Sequence, residues 1–176
     1  MAIDRQKTET VHWHAVFTAS RAEKKVRDRL EELGVECFLP VQTVLRQWTY
    51  RKSRVVVPVI AGLVFVRVGR QEQVKVLQTK GVVAFLRLKG EAGAAVIPDK
   101  QMEDFRFLLD FSEEAVEMTN ENIKAGDLVR VMKGSLRGME GELIRHKGVT
   151  KVLVRIDMLG CAMVNIPASF VEKLNK

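Results

Sequence analysis

The chain has 176 residues, 47% of them hydrophobic, and a formal net charge of +7. That is enough apolar material for a packed core and rules out a disordered chain. The longest apolar run, Val55–Val66, is interrupted by Pro58 and Gly62 and is too short to cross a bilayer, and Met1–Thr10 is too polar for a secretory signal. The expectation is a cytoplasmic protein of one domain or two small ones, with no membrane partner. Cys37 and Cys161 form no C-x-x-C motif and are expected to be reduced.

The first pattern is His12–Thr18, where Trp13, Ala15 and Phe17 alternate with His14 and Val16, as in a strand. Ser20-Arg-Ala-Glu23 has the form of a capping box. Ala22, Val26, Leu30 and Leu33 follow at helical spacing, and Gly34 ends that helix. Val35, Cys37 and Leu39 alternate as a second strand, which leaves Phe38 on the opposite side from Cys37 and Leu39. After Pro40, the residues Val44, Arg46, Trp48 and Tyr50 alternate along an extended hairpin, with Arg51–Arg54 expected at its tip and Val55–Val59 leading back. Ile60–Val68 is nearly all apolar, the composition of a central strand. Gln71–Thr79 is expected to be a helix with Val74 and Leu77 on its apolar face, followed by a strand over Val82–Leu88. Pro98 sits where helices begin, and Met102, Phe105, Leu108 and Leu109 supply the next helix with an apolar stripe. The order is β-α-β-β-α-β plus a final helix, a ferredoxin-like α+β domain over residues 12–110.

Residues 111–122 carry Glu113, Glu114, Glu117 and Glu121 with no base, the composition of a linker or of a short helical extension. From residue 123 the chain is predicted to be all strand: Leu128–Met132, Glu142–His146, Lys151–Asp157, Met163–Ile166 and Phe170–Leu174. Val129 and Val131 face one way; Leu128, Arg130 and Met132 face the other. Gly134, Gly138 and Gly141 mark a tight turn into the next strand. Five short strands in so few residues suggest a small SH3-like β-barrel over residues 123–176.

Charge is unevenly placed. Between Cys37 and Gly90 there are ten Lys and Arg residues and a single acid, Glu72. Such a bias marks a polyanion-facing surface better than a merely solvated one. Arg46, Arg51, Lys52 and Arg54, with Trp48 and Tyr50 among them, suit single-stranded nucleic acid, where bases track phosphates and aromatic rings stack. The competing reading is a solvated hairpin with Trp48 folded back onto the sheet. His12, His14 and His146 lack metal-ligand spacing, and no P-loop, His-Glu-x-x-His or Gly-x-Ser-x-Gly motif is present. No enzyme activity, cofactor or metal is expected.

Taken together, Trp13–Thr18, Glu23–Val26, Phe38–Pro40, Gly62–Val66, Gly81-Val82 with Phe85, Ile97-Pro98, Gly126–Val131, the three glycines, Lys151–Val154 and Val171–Leu174 resemble the NusG family of transcription elongation factors. The resemblance implies an NGN domain (12–110), an acidic linker (111–122) and a KOW domain (123–176). It implies that the first domain binds the RNA polymerase clamp, bridges the DNA channel and suppresses pausing and termination. The positions matching the polymerase-binding patch are Trp13, Phe17, Phe38, Leu63 and Phe65, although core packing is the alternative for the strand aromatics. The basic hairpin would meet the non-template DNA strand or the upstream fork. In the KOW domain, Leu136, Met139, Met158 and Leu159 match the loops that recruit a small-subunit ribosomal protein or Rho, or else pack the barrel ends. Leu63 stands where the family usually has tyrosine, Ser135-Leu136 where it has Pro-Phe, and Cys161 and Asn165 where housekeeping members place Arg and Glu. These departures resemble operon-specific antiterminators of the RfaH-like or capsule-operon kind. The alternatives are a housekeeping NusG-type factor coupling transcription to Rho or the ribosome, and a KOW-containing RNA-binding or ribosome-associated protein.

Overall fold

The computed structural model describes residues 9–174. Residues 1–8 of the polar opening stretch and 175–176 at the end of the last predicted segment lie outside the described residues. Close contacts divide the chain into two units, one made of the chain up to Leu39 together with Gly62–Val96, the other of Pro40–Ala61 together with the chain from Ile97 onward.

In the first unit, β1 (His12–Thr18), α1 (Glu23–Glu32), β2 (Glu36–Phe38), β5 (Leu63–Val68), α2 (Glu72–Leu77) and β6 (Val82–Phe85) follow the predicted order; β3 (Val41–Trp48) and β4 (Arg51–Pro58), which fall between β2 and β5, belong to the second unit. The sheet runs β2-β5-β1-β6, all antiparallel, the strand order of the split βαβ arrangement. β5 is internal, as its apolar run predicted, and both of its faces are buried. Register sorts the side chains. Ala15 opposes Phe65, Phe17 opposes Leu63 and Phe38 opposes Phe65, so these share one face with Trp13. Cys37, Val64, Val66 and Val16 share the other, toward α1, where Cys37 Sγ lies 3.7 Å from Arg27 O. Val26 and Leu30 are the fully buried side chains of α1. That helix closes with Gly34 N–H donating to Glu31 O at 2.9 Å and Val35 N–H to Leu30 O at 2.9 Å, the paired bonds of a Schellman ending.

Two local expectations fail. There is no capping box. Arg21 turns into the left-handed region (φ 57), the turn Ala19–Ala22 closes by a backbone bond, and Ala22 takes the N-cap position without a side-chain bond. Glu23 instead turns inward and its Oε1 accepts Gly62 N–H at 2.7 Å. In α2 the buried residue is Val76, while Val74 and Leu77 are exposed. Six residues are too few for a spacing of three to define a face.

The second unit holds the hairpin β3 (Val41–Trp48) and β4 (Arg51–Pro58), helix α3 (Asp99–Phe111), and a six-stranded antiparallel sheet ordered β12-β8-β9-β10-β11-β7. Its strands are β7 (Glu117–Thr119), β8 (Asp127–Val131), β9 (Glu140–His146), β10 (Val149–Ile156), β11 (Gly160–Asn165) and β12 (Val171–Lys173). Val129 and Val131 are buried and Leu128 and Met132 exposed, as alternation required. Gly134 and Gly138 both take positive φ in the turn between β8 and β9. Ile144, Leu153, Cys161 and Met163 pack together, with Ile123 against them. Met102, Phe105 and Leu108 form the buried stripe of α3, and Leu109 is only half-buried. Helix α3 lies against β10, and its Gln101 Oε1 accepts Asp157 N–H at 2.8 Å. The acidic stretch contributes β7 to this sheet, so part of the expected linker is a strand.

Candidate nucleic-acid and partner interfaces

The hairpin is held by an unbroken register from Val41↔Pro58 to Trp48↔Arg51, so its turn is Thr49-Tyr50. Arg51–Arg54 therefore lie within β4 rather than at the tip. Polarity alone suggested a loop there, whereas cross-strand pairing carries the ladder four residues further, from Arg54 to Arg51. Opposed residues share a face. Arg46, Trp48, Arg51 and Ser53 line one side; Leu45, Gln47, Lys52 and Arg54 line the other. Arg46, Arg51, Lys52 and Arg54 are all exposed. Trp48 is 55% exposed and Tyr50 97%, so neither ring is folded onto a core. Residues 41–61 contain no carboxylate, so nothing within the hairpin neutralises its four charges. Two basic faces flanking open aromatic rings can track a polyanionic backbone and stack on exposed bases.

The aromatic patch of the first unit has a different character. Trp13, Phe17, Phe38, Leu63 and Phe65 do project from one sheet face. Trp13, Leu63 and Phe65 are buried at 5%, 1% and 0% exposure, whereas Phe17 is 41% exposed. Phe38 is half-buried and stacks on Phe65 with ring centroids 6.1 Å apart. Phe17 and Phe38 are the members of the set with surface to offer. Leu63 matches the expected polymerase-binding patch, yet a Leu63→Asp change would place a carboxylate in the core.

Of the loop residues expected to recruit a partner, Leu136 and Met139 are buried, Leu159 is half-buried and Met158 is 38% exposed. Beside Leu136 lies a cavity of about 250 Å³ bordered by Ser112, Ser135, Asn165, Ile166 and Phe170.

Three features escaped the sequence reading. Glu142 accepts Arg155 Nε at 2.5 Å, Arg155 Nη2 at 2.9 Å and Gly126 N–H at 3.0 Å, and Arg155 Nη2 also donates to Ile123 O at 3.0 Å. The hydrogen bonds from Arg155 are the main reason its carboxyl titrates below the usual range, against an opposing push from burial. Lys151 is 4% exposed, and its Nζ lies 2.7 Å from Glu117 Oε1. Gln42 bonds both the N–H and the carbonyl of Val116. A lysine heading the apolar run Lys151–Val154 was the one available signal for the second of these.

His14 is buried, its Nδ1 lies 2.7 Å from Ala95 O, and its ring meets Phe85 edge-on. Burial lowers its pKa, so the neutral ring donates from Nδ1. Burial likewise pushes the Cys161 thiol up, away from the thiolate that reactivity requires. Among the described residues no group of three or more His, Cys, Asp or Glu could hold a metal ion, and no helix is long and apolar enough to cross a membrane.

The family model described as transcription termination factor NusG matches residues 11–106, more than half of the chain. The solved structure of Thermotoga maritima NusG is similar at a TM-score of 0.50 and 22% identity, over 94% of this chain and 98% of that one. Two conformations of an MjSpt4:Spt5 complex also match, at TM-scores of 0.30 and 0.29 and identities of 18% and 17%. They cover 93% of this chain, and 97% and 99% of theirs. No curated protein matches it.

Proposed function

The chain belongs to the NusG family, and from that premise we propose that it is a transcription elongation factor that binds transcribing RNA polymerase in the cytoplasm, bridges the clamp over the DNA channel and suppresses pausing and termination. The observation that carries the DNA-facing part is the hairpin, four exposed basic residues around exposed Trp48 and Tyr50 with no acid among residues 41–61. It would engage the displaced non-template strand or the upstream fork. On this reading the first domain spans residues 12–110 and meets the clamp through Phe17 and Phe38. Trp13, Leu63 and Phe65 support that face from beneath. The sheet from residue 123 onward is then a KOW-type barrel that recruits a further partner, a small-subunit ribosomal protein or Rho, through the loops of Leu136, Met139, Met158 and Leu159.

We favour an operon-specific antiterminator over a housekeeping factor. Asn165 and Cys161, which stand where housekeeping members carry charge, are engaged internally, Asn165 with Glu114 at 2.9 Å and Cys161 in the packed cluster. The test is reconstitution with stalled elongation complexes. The expected result is co-fractionation with polymerase, shortened pauses, and loss of the effect in a Phe17→Ala/Phe38→Ala variant that still folds. Co-fractionation with ribosomal subunits in its place would overturn the reading. Mapping occupancy along transcription units separates the specialist, present on few operons, from a general factor.

A further inference from the structure

Residues 112–119 have the composition of a linker and the contacts of a bound strand. Val116 is buried, and one side chain engages both polar groups of that residue. Val116 N–H donates to Gln42 Oε1 at 2.9 Å, and Gln42 Nε2 donates to Val116 O at 3.2 Å. Gln42 lies at the base of the hairpin, opposite Val57, and its amide offers the donor and acceptor that a neighbouring strand would supply. Beyond Val116, β7 runs along β11, with Glu117 opposite Met163, Met118 opposite Ala162 and Thr119 opposite Cys161. Glu117 supplies the counter-charge of the buried Lys151, and Glu114 Oε2 accepts Asn165 Nδ2. A groove of about 420 Å³ remains between Val41–Thr43 and Ser112–Val116.

We propose that residues 112–119 are a latch, a short edge strand that ties the base of the β3–β4 hairpin to β11 and lets go as a unit. The latch goes beyond the proposed function and needs no assumption about what the hairpin binds. The character of its ties favours release ahead of the rest of the sheet. β7 has three residues, against eight in β10. Its contacts to Gln42, Lys151 and Asn165 are side-chain bonds, and the Glu117 side chain is 53% exposed. Glu113, Glu114, Glu117 and Glu121 keep the freed segment soluble. The closed state is the resting one, because Lys151 loses its counter-charge when the latch opens. Opening would free the hairpin base and the β11 edge in one step, leaving that edge available for pairing with another strand.

Amide hydrogen exchange on the full chain, read by mass spectrometry, tests this. In the unaltered protein, amides 116–119 should exchange at least about tenfold faster than those of β9 and β10, as a separately opening segment must. Gln42→Ala should accelerate 116–119 by about a further tenfold, the size expected for two lost neutral hydrogen bonds, while β8–β10 keep their protection. Lys151→Met should accelerate the same amides. The latch is overturned if 116–119 exchange as slowly as β10 in the unaltered chain. It is equally overturned if Gln42→Ala leaves 116–119 unchanged, or speeds β8–β11 uniformly. The comparison within the unaltered chain stands even if a variant fails to fold.

Discussion

Removing the carboxylate of Glu142 separates an ionic contribution to stability from a packing one. Glu142 binds Arg155 in two-pronged fashion and receives Gly126 N–H, so it joins β9, β10 and the segment entering β8. A hydrogen bond to a charged group contributes about 1.5–3 kcal/mol when well shielded. Here the Arg155 and Glu142 side chains are 37% and 20% exposed, and solvent screening reduces the pair to about 1 kcal/mol. Stranding the Gly126 N–H adds about 1 kcal/mol. Glu142→Ala should therefore cost about 2 kcal/mol, a fall of about 4–8 °C in Tm for a chain of this length. Urea denaturation of the single variants Glu142→Ala and Arg155→Met and of the double variant should give a coupling of about 1 kcal/mol. The pH dependence follows from sign. The folded carboxyl titrates below its ordinary value of 4.5, so its contribution is complete above that value and fades as pH falls through the lower folded pKa. The gap between wild type and Glu142→Ala should be constant from neutral pH down to about 5 and narrow below 4.5. A gap as wide at pH 3 as at pH 7, or a coupling of zero, would refute the ionic account.

Salt titration of single-stranded DNA binding should show the logarithmic slope falling by about 0.7 for each of Arg46, Arg51, Lys52 and Arg54 changed to Ala. Trp48→Ala should lose about 1–3 kcal/mol of that affinity with no change in slope, the mark of stacking rather than phosphate contact. Leu63→Asp should destabilise the chain by several kcal/mol in urea melts, because the site is 1% exposed; Phe17→Ala should leave the melting midpoint within a few degrees. Gly126→Ala should be strongly destabilising, since an added Cβ would sit 2.1 Å from Leu143 O, a backbone atom that cannot step aside.

The parts of this fold that were legible in sequence are those governed by local periodicity. β1 spans the residues its alternation predicted, His12–Thr18, because every second side chain enters an apolar layer. The apolar run of β5 announced a central strand but not that Leu63 and Phe65 are buried as thoroughly as Val64 and Val66, since a continuous run does not say what covers each face. The hairpin was found but its turn was misplaced, for Thr49-Tyr50 lacks the Asn-Gly or Gly signals that announce a two-residue connection. β7 was missed because its reason for being a strand lies some forty positions away in β11, and its own residues look like solvent-facing linker. Lys151 simply opens a predicted strand in the sequence. Its role comes from Glu117, a partner that pairing brings near and no local pattern predicts.

The hairpin is an excursion between β2 and β5, and the chain closes its base by a bond from Val59 N–H to Pro40 O at 2.8 Å. Val116 holds the base at Gln42, but from Leu45 and Arg54 out to the tip the ladder is exposed apart from half-buried Ser53, so its length there is adjustable without disturbing its foot. Each residue adds about 3.4 Å to an antiparallel strand. Loss or gain of two residues from both strands would shift the tip by about 7 Å while leaving every basic and aromatic side chain on its present face; a change of one would turn them over. Reach and facing are thus separable quantities in this element, and natural length variants should occur in even steps.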